Sequence, residues 1–127
     1  MLIVEDEAIV AMSLGAVVEQ FGHEVAGTVA TGRGAVAEAA RLEPDIVLMD
    51  VRLADSLDGI SAAERIAAER PVHFIFITAY SDSATIERIR RLGAPILSKP
   101  VAAEALRKAI AAARLPDPDS GPKGGSA

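Results

Sequence analysis

Short apolar runs alternate along this chain with segments in which apolar residues recur at helical spacing. Five segments fit β-strands, at residues 2–4, 24–29, 45–49, 72–77 and 95–98, and several of them are apolar enough to be buried on both faces. Each is followed by a segment of helical periodicity, so the strand and helix patterns alternate five times. This alternation predicts a parallel β-sheet that carries helices on both faces.

Residues that cap or terminate helices mark the ends of the helical segments. The predicted helices cover residues 10–22, 31–42, 61–69, 83–93 and 101–114. Gly22 and Gly93 stand where helices commonly end, and one of residues 81–83 caps the fourth helix. Ser61 and Glu64 have the spacing of a capping box, which predicts that the third helix begins at Ser61.

Five strand–helix units in succession predict the fold class. We expect an α/β fold with a five-stranded parallel sheet in the order 2-1-3-4-5, which is the flavodoxin-like arrangement. The fifth helix contributes Leu106 and Ile110 to the core. Residues 1–114 form one predicted domain, and the Pro-, Gly- and Ser-rich residues 115–127 are predicted to be a disordered tail or a linker. A stand-alone domain and a piece of a longer protein both fit this organisation.

Composition excludes several classes of function. The 127 residues include no cysteine, so neither disulfides nor thiol chemistry is available. A net charge of −5 argues against a domain that grips nucleic acid through bulk charge. No apolar run approaches the roughly 18 residues that span a bilayer. We therefore expect a cytoplasmic domain that binds neither nucleic acid nor membrane.

Polar residues fall at the carboxyl ends of four predicted strands. Glu5 and Asp6 follow the first strand, Asp50 the third, Thr78 the fourth and Lys99 the fifth. In open α/β sheets, ligands bind outside these strand ends, at the point where the strand order reverses. The pattern therefore predicts one site that combines three carboxylates, a hydroxyl and an ammonium group.

Three crowded carboxylates repel one another and raise one another's pKa, and a hard divalent cation relieves that conflict. Oxygen ligands favour Mg²⁺, which binds through few carboxylates together with phosphate oxygens; Mn²⁺ is a second possibility. Phosphoryl transfer depends on positioning and charge neutralisation, which the metal, Lys99 and Thr78 would supply. We therefore predict that Asp50 is a nucleophile that accepts a phosphoryl group, with the metal held by Glu5, Asp6 and Asp50.

Each of these residues also has an ordinary structural interpretation. Glu5 and Asp6 are favourable at the start of a helix, where acidic groups complement the helix dipole. Lys99 on its own fits a loop, and Thr78 fits a residue that satisfies backbone groups. The functional interpretation depends on their coincidence at one edge of the sheet.

The chain resembles the receiver domain of two-component response regulators. The motifs that carry this resemblance, in chain order, are LIVEDE at residues 2–7, DIVLMDVRL at 45–53, DG at 58–59, FITA at 76–79 and LSKP at 97–100. They cover residues 1 to about 114. Each motif alone is weak, but the set in this order and spacing is specific.

The resemblance implies a role for each matching residue. Asp50 would receive a phosphoryl group from the phosphohistidine of a histidine kinase or phosphotransfer protein, or from acetyl phosphate. The backbone carbonyl of Arg52 would be a further metal ligand. Thr78 and Lys99 would approach the phosphoryl group, and the Lys99–Pro100 bond would be cis. Such a domain promotes its own phosphorylation and dephosphorylation and turns over no external substrate.

Further positions match variable or switching sites of the family. Arg52, Ala79 and Tyr80 match positions that flank the phosphoryl group and modulate its lifetime. Receivers often carry an aromatic residue three positions before the lysine, where this chain has Ile96. Our hypothesis is that Tyr80 partly replaces that ring as a partner of Thr78 in the switch.

Other functions fit the sequence less well. A phosphatase of the haloacid-dehalogenase type needs a second Asp two residues after the nucleophile, where Arg52 stands. A receiver-like adaptor that works without phosphorylation usually lacks one of the acidic residues or the lysine, and it remains the alternative. The fourth and fifth helices, within residues 82–114, are the predicted surface for a homodimer or a downstream protein. This surface carries a cluster of basic residues, Arg88, Arg90, Arg91, Arg107 and Lys108.

Overall fold

The computed structural model describes residues 1–79 and 82–114. Tyr80, Ser81 and the predicted tail at 115–127 lie outside the described residues. The five strands are β1 (Leu2–Val4), β2 (Gly27–Val29), β3 (Ile46–Asp50), β4 (His73–Thr78) and β5 (Ile96–Ser98). The five helices are α1 (Ala8–Gln20), α2 (Gly32–Leu42), α3 (Gly59–Glu69), α4 (Ser83–Arg91) and α5 (Ala103–Arg114).

The strands form one parallel sheet in the order β2-β1-β3-β4-β5, which confirms the predicted topology. Two apolar clusters cover its two faces. One cluster joins the sheet to α2, α3 and α4, and the other joins it to α1 and α5. Leu106 and Ile110 are buried in the second cluster, as predicted. The central strands β1 and β3 are buried along their whole length.

The second strand is shorter than predicted, and it begins at Gly27 instead of residue 24. The late start of β2 follows from the position of its neighbouring strand, β1. β1 begins at Leu2, which pairs with Gly27, so residues 24–26 have no regular strand beside them. They are held instead by the start of the chain, since the Met1 amino group donates to Glu24 O (3.0 Å) and the Ala26 amide donates to Met1 O (2.8 Å).

The start of the third helix corrects a prediction. The helix begins at Gly59, and its cap is Asp58, whose carboxylate accepts a hydrogen bond from the Ser61 amide at 2.7 Å. Ser61 lies inside the first turn because the carboxylate of Asp58 reaches the free amides earlier in the chain than the serine does. The fourth helix is capped by Asp82, one of the predicted candidates. Gly22 and Gly93 have positive φ angles of 85° and 70° just after their helices.

Within the described residues, no helix has the length and apolar character required to cross a membrane.

Candidate functional site

The predicted site residues lie at the carboxyl edge of the three central strands and of β5. Glu5 follows β1, Asp50 is the last residue of β3, Thr78 is the last residue of β4, and Lys99 follows β5. Parallel pairing brings them to one level, since Asp50 is in register with Ile77 and Thr78 with Ser98. The Lys99 amide donates to Thr78 O at 3.0 Å.

Three carboxylates meet at this edge. One oxygen from each of Glu5, Asp6 and Asp50 lies within 4.8 Å of the other two. Glu5 and Asp50 are 2% and 5% exposed, whereas Asp6 faces solvent. Burial of two carboxylates beside a third is costly without a counter-charge, and this fold retains all three.

The Lys99 ammonium group supplies part of the counter-charge. Its Nζ lies 2.8 Å from Glu5 Oε1 and donates a hydrogen bond to Asp50 Oδ2 at 3.0 Å. Glu7 Oε1 is farther away, at 3.8 Å. One ammonium group among the three clustered carboxylates leaves about two negative charges uncompensated when all are ionised, which suits a divalent cation.

Electrostatics at the site are asymmetric. Burial raises the pKa of Asp50 from 3.8 to about 6, and the nearby charge of Glu5 adds to that rise. Hydrogen bonds from Lys99 and from the Val51 amide lower the Asp50 pKa in part. For Lys99, burial lowers the pKa, but its contacts with Glu5 and Asp50 outweigh burial and the net pKa is raised. Lys99 therefore stays charged over the range near pH 6 in which Asp50 titrates.

Backbone amides orient the two buried carboxylates. The Val51 amide donates to Asp50 Oδ1 at 2.8 Å, and the Glu7 amide donates to Glu5 Oε2 at 3.0 Å. Close packing fixes Asp50 from behind, because a Cβ on Gly59 would lie 1.8 Å from the Asp50 carbonyl oxygen. Asp50 is thus held from both ends of the segment that joins β3 to α3.

A cavity of about 280 Å³ opens over this edge. Its lining includes Asp6, Asp50 and Lys99, together with Arg52 and Ala79, the two described residues predicted to modulate the site. Thr78 precedes the lining residue Ala79 in the chain and is itself buried, 3% exposed.

The remaining predicted positions are more distant or lie outside the described residues. Ile96 is half-buried and packs against the apolar cluster that contains Ile89 of α4. The Lys99–Pro100 peptide bond is cis. Tyr80 lies outside the described residues, so the hypothesis that it replaces the missing aromatic ring stays a prediction.

The predicted basic surface on α4 and α5 is largely paired with acids. Arg90 and Arg91 lie 4.0 and 3.8 Å from carboxylate oxygens of Glu87, and Arg107 pairs with Glu104. Arg88 points to α3. The cluster that the sequence predicts as a basic patch is therefore interspersed with acids, and Arg90 and Arg91 share the single carboxylate of Glu87.

Sequence reasoning missed residues around the site. Glu7 lines the cavity, a role that its place in the acidic run Glu5-Asp6-Glu7 signals. Ile9 and Met12 are 82% and 74% exposed, the large apolar side chains that the structure leaves exposed among the residues it describes. Their signal is that they fall outside the buried stripe of α1, which consists of Ala11, Leu14 and Val18.

Comparison with known proteins adds the family context. Residues 1–111 match the response regulator receiver domain. The transcriptional regulatory protein PdtaR of Mycobacterium tuberculosis is 39% identical over 110 residues, which cover 86% of this chain and 53% of PdtaR. This chain therefore spans about half the length of that relative. The chemotaxis protein CheY of Thermotoga maritima is 35% identical over 94 residues, with 73% of this chain and 78% of CheY covered.

Solved structures agree with these sequence matches. The signal receiver domain of a modulated diguanylate cyclase from Desulfovibrio desulfuricans G20 superposes with a TM-score of 0.82 at 41% identity, over 88% of this chain and 90% of that chain. The receiver domain of the PhyR response regulator from Erythrobacter litoralis has a TM-score of 0.75 at 36% identity, over 91% and 92%.

Proposed function

The chain belongs to the response regulator receiver family, and on that premise we propose that Asp50 accepts a phosphoryl group from a phosphohistidine and thereby switches a partner-binding surface. Receiver domains are generally signalling modules that interact with histidine kinases or phosphotransfer proteins. The observation that carries the proposal is the cluster at the sheet edge, with Glu5, Asp6 and Asp50 within 4.8 Å of one another and Lys99 3.0 Å from Asp50.

Receiver domains bind Mg²⁺ at an acidic pocket, and the donors of this chain fit such an ion. Glu5, Asp6 and Asp50 offer only hard oxygen ligands, and the cavity above them leaves room for water and phosphate oxygens. We assign the metal to these three residues, with the carbonyl oxygen of Arg52 as a fourth ligand. When bound, the metal would neutralise charge that develops on the transferred phosphoryl oxygens.

In the transfer step, a carboxylate oxygen of Asp50 attacks the phosphorus atom of the donor phosphohistidine. A P–O bond to Asp50 forms as the P–N bond breaks, and the electron pair stays on the imidazole. Lys99 then pairs with the phosphoryl oxygens in place of the Asp50 oxygen that it now contacts at 3.0 Å. Thr78, buried beside Asp50, supplies the hydroxyl that turns towards the new group.

The donor reaches Asp50 past an apolar groove at the start of α1. Ile9, Pro100 and Val101 line this groove of about 460 Å³, and Lys99 of the acidic site also lines it. Exposed apolar side chains next to a reactive site favour docking of an apolar partner surface. We assign this groove, with the neighbouring Met12, to the helix of the donor that carries the phosphohistidine.

Phosphorylation is tested by incubating the protein with Mg²⁺ and acetyl phosphate, followed by intact-mass measurement. We expect a phosphoryl adduct that requires Mg²⁺ and is absent in Asp50→Asn. A folded wild-type protein that forms no adduct and shows no metal effect would overturn the proposal and favour the adaptor function.

Donor docking is tested separately with Ile9→Ser and Met12→Ser, which remove apolar surface without adding charge beside the acidic site. Both variants should accept phosphate from acetyl phosphate at the wild-type rate, since neither side chain lines the cavity over Asp50. Transfer from a phosphorylated kinase should slow by at least about tenfold, as expected for loss of a central apolar contact of about 1.4 kcal/mol or more. Glu19→Gln, an exposed change near the other end of α1, is the matched control. Equal transfer by all variants would place the donor elsewhere.

A further inference from the structure

Helix α4 is weakly anchored by apolar packing. Of its nine residues, Ser83–Arg91, the structure buries Ile89. Its neighbour α3 buries Gly59, Ile60, Ala62, Ala63 and Ile66. Polar contacts therefore contribute more to the position of α4 than to that of α3.

Arg88 makes such a contact with the start of α3. Its Nη1 lies 3.2 Å from Asp58 Oδ2, and its Nη2 donates to Ser61 Oγ at 3.0 Å. Glu64 Oε1 lies 3.9 Å from the same Nη2. A guanidinium group is planar and presents several donors, so one side chain can hold both the cap residue and the first turn of α3.

The contact of Arg88 reaches the segment that carries the acceptor. Asp58 ends the loop that starts directly after Asp50, and its other carboxylate oxygen caps α3 through the Ser61 amide. The Gly59 amide donates to Val51 O at 2.7 Å, which closes this loop beside Asp50. Arg88 therefore ties α4 to the far end of the acceptor loop.

The start of α4 is tied to the site by the chain itself. Thr78 ends β4, and the cap of α4, Asp82, follows only four residues later. A phosphoryl group adds about −1.5 to −2 charge units at Asp50, and the response proposed for Thr78 acts on this short connection. With Ile89 as its buried residue, α4 can follow that movement as a unit only when Arg88 releases α3.

We propose that Arg88 is a latch that holds α4 on the start of α3 in the unphosphorylated state and opens when Asp50 is loaded. The inference rests on the proposed function and adds a device that regulates it. Arg88 and Asp58 side chains are each 39% exposed, so the pair is weak enough to be opened by a modest change at the site. Coupling between two sites is reciprocal, so a latch that stabilises the unphosphorylated state must also oppose phosphorylation of Asp50.

The test compares Arg88→Ala with Arg90→Ala, which removes the same charge from the same helix but leaves the contact with α3. Hydrogen exchange of α4 amides is measured without ligand, and beryllofluoride with Mg²⁺ is titrated by amide NMR. We expect Arg88→Ala to speed α4 exchange and to tighten beryllofluoride binding, each by about three- to fivefold, the range for a partly exposed ion pair. Arg90→Ala should match the wild type, and Arg88→Lys should fall between the two because lysine cannot hold both partners.

Two results would overturn the latch. Arg88→Ala with wild-type α4 exchange would show that Arg88 does not hold the helix. Faster exchange with unchanged or weaker beryllofluoride binding would show that the contact is structural and not coupled to loading. If the wild-type protein itself does not bind beryllofluoride, the proposed function fails and the coupling fails with it, while the exchange data still decide whether Arg88 holds α4.

Discussion

Helices α3 and α4 are neighbours of similar length and similar caps, but the fold holds them in different ways. Both begin after an aspartate whose carboxylate accepts a hydrogen bond from an amide three residues later, at 2.7 Å for Asp58 and 3.0 Å for Asp82. Five residues of α3 are buried, against one in α4. Packing therefore secures α3, whereas α4 relies on Ile89 and on the contacts of Arg88.

The difference separates two tasks. Asp50, the proposed acceptor, needs a rigid support, because its loop must keep a buried carboxylate in place against repulsion from Glu5. The proposed readout helix α4 must move at low cost, which limited packing allows. Four experiments test whether this division is correct, and they are described from the largest expected effect to the smallest.

Gly59→Ala should have the largest effect on the acceptor side. The new Cβ would lie 1.8 Å from Asp50 O and 2.9 Å from Met49 Cγ, so the backbone of β3 or α3 must shift. We expect a loss of about 3 kcal/mol or more in the free energy of unfolding, measured by urea denaturation, and a strong loss of phosphorylation.

Gly15→Ala is the matched control. Its Cβ would meet Ile3 Cδ1 at 3.8 Å, an ordinary contact, and alanine favours the helix. This variant should equal the wild type or be more stable by about 0.5–1 kcal/mol. Equal stability of the two variants would show that the approach of Gly59 to Asp50 does not constrain the acceptor.

A pair of isoleucine truncations compares the two helices directly. Ile66→Ala in α3 should lower the free energy of unfolding by about 2–4 kcal/mol. The reason is that the substitution leaves a cavity under a helix that its other buried residues keep on the sheet. Ile89→Ala in α4 should cost less, about 1–2 kcal/mol, because α4 can open locally instead. Hydrogen exchange should show fast α4 amides in Ile89→Ala and no corresponding local change in Ile66→Ala. Equal global losses would contradict the weak anchoring of α4.

Asp50→Asn tests the repulsion between the buried carboxylates of Asp50 and Glu5. The Asp50 pKa of about 6 in the folded protein lies above its ordinary value of 3.8, so ionisation is less favourable folded than unfolded. Stability from the protonated carboxyl is present below about pH 4 and is lost as pH rises to about 6. Metal-free Asp50→Asn should therefore exceed the wild type above pH 6 by an amount on the order of 1 kcal/mol, and match it near pH 4.

Urea denaturation in chelator between pH 4 and pH 8 measures this difference. Added Mg²⁺ should stabilise the wild type more than the variant, since the metal offsets the repulsion that the asparagine removes. A wild type that gains stability between pH 4 and pH 6 relative to the variant would contradict the raised pKa.

Asp82→Ala should have the smallest effect, confined to α4. The change removes the acceptor of the Thr85 amide and of the Thr85 hydroxyl, at 3.0 and 2.8 Å. We expect faster exchange in the first turn of α4, corresponding to about 0.5–1 kcal/mol, with little change in global unfolding. Asp82→Asn keeps a capping oxygen and is the control. A large global loss in Asp82→Ala would mean that α4 unfolds together with the core.

The sequence predicted the fold because its information is periodic. Apolar strands and amphipathic helices alternate five times, and right-handed crossovers leave few topologies, so the order 2-1-3-4-5 followed. Its errors occurred where an outcome depends on a neighbour. β2 begins late because its partner β1 begins at Leu2, and α3 begins at Gly59 because Asp58 caps it before Ser61 can.

The sequence by itself also determined which residues share the candidate site, since parallel strands end at one edge and Glu5, Asp50, Thr78 and Lys99 each stand at a strand end. Only the tertiary structure decided that the Lys99 ammonium group contacts both Glu5 and Asp50, and that Arg88 turns to α3. These outcomes depend on distances of a few ångströms and on the rotation of each helix about its axis. Both are set by packing between elements that are far apart in the chain, and no local pattern of residues encodes them.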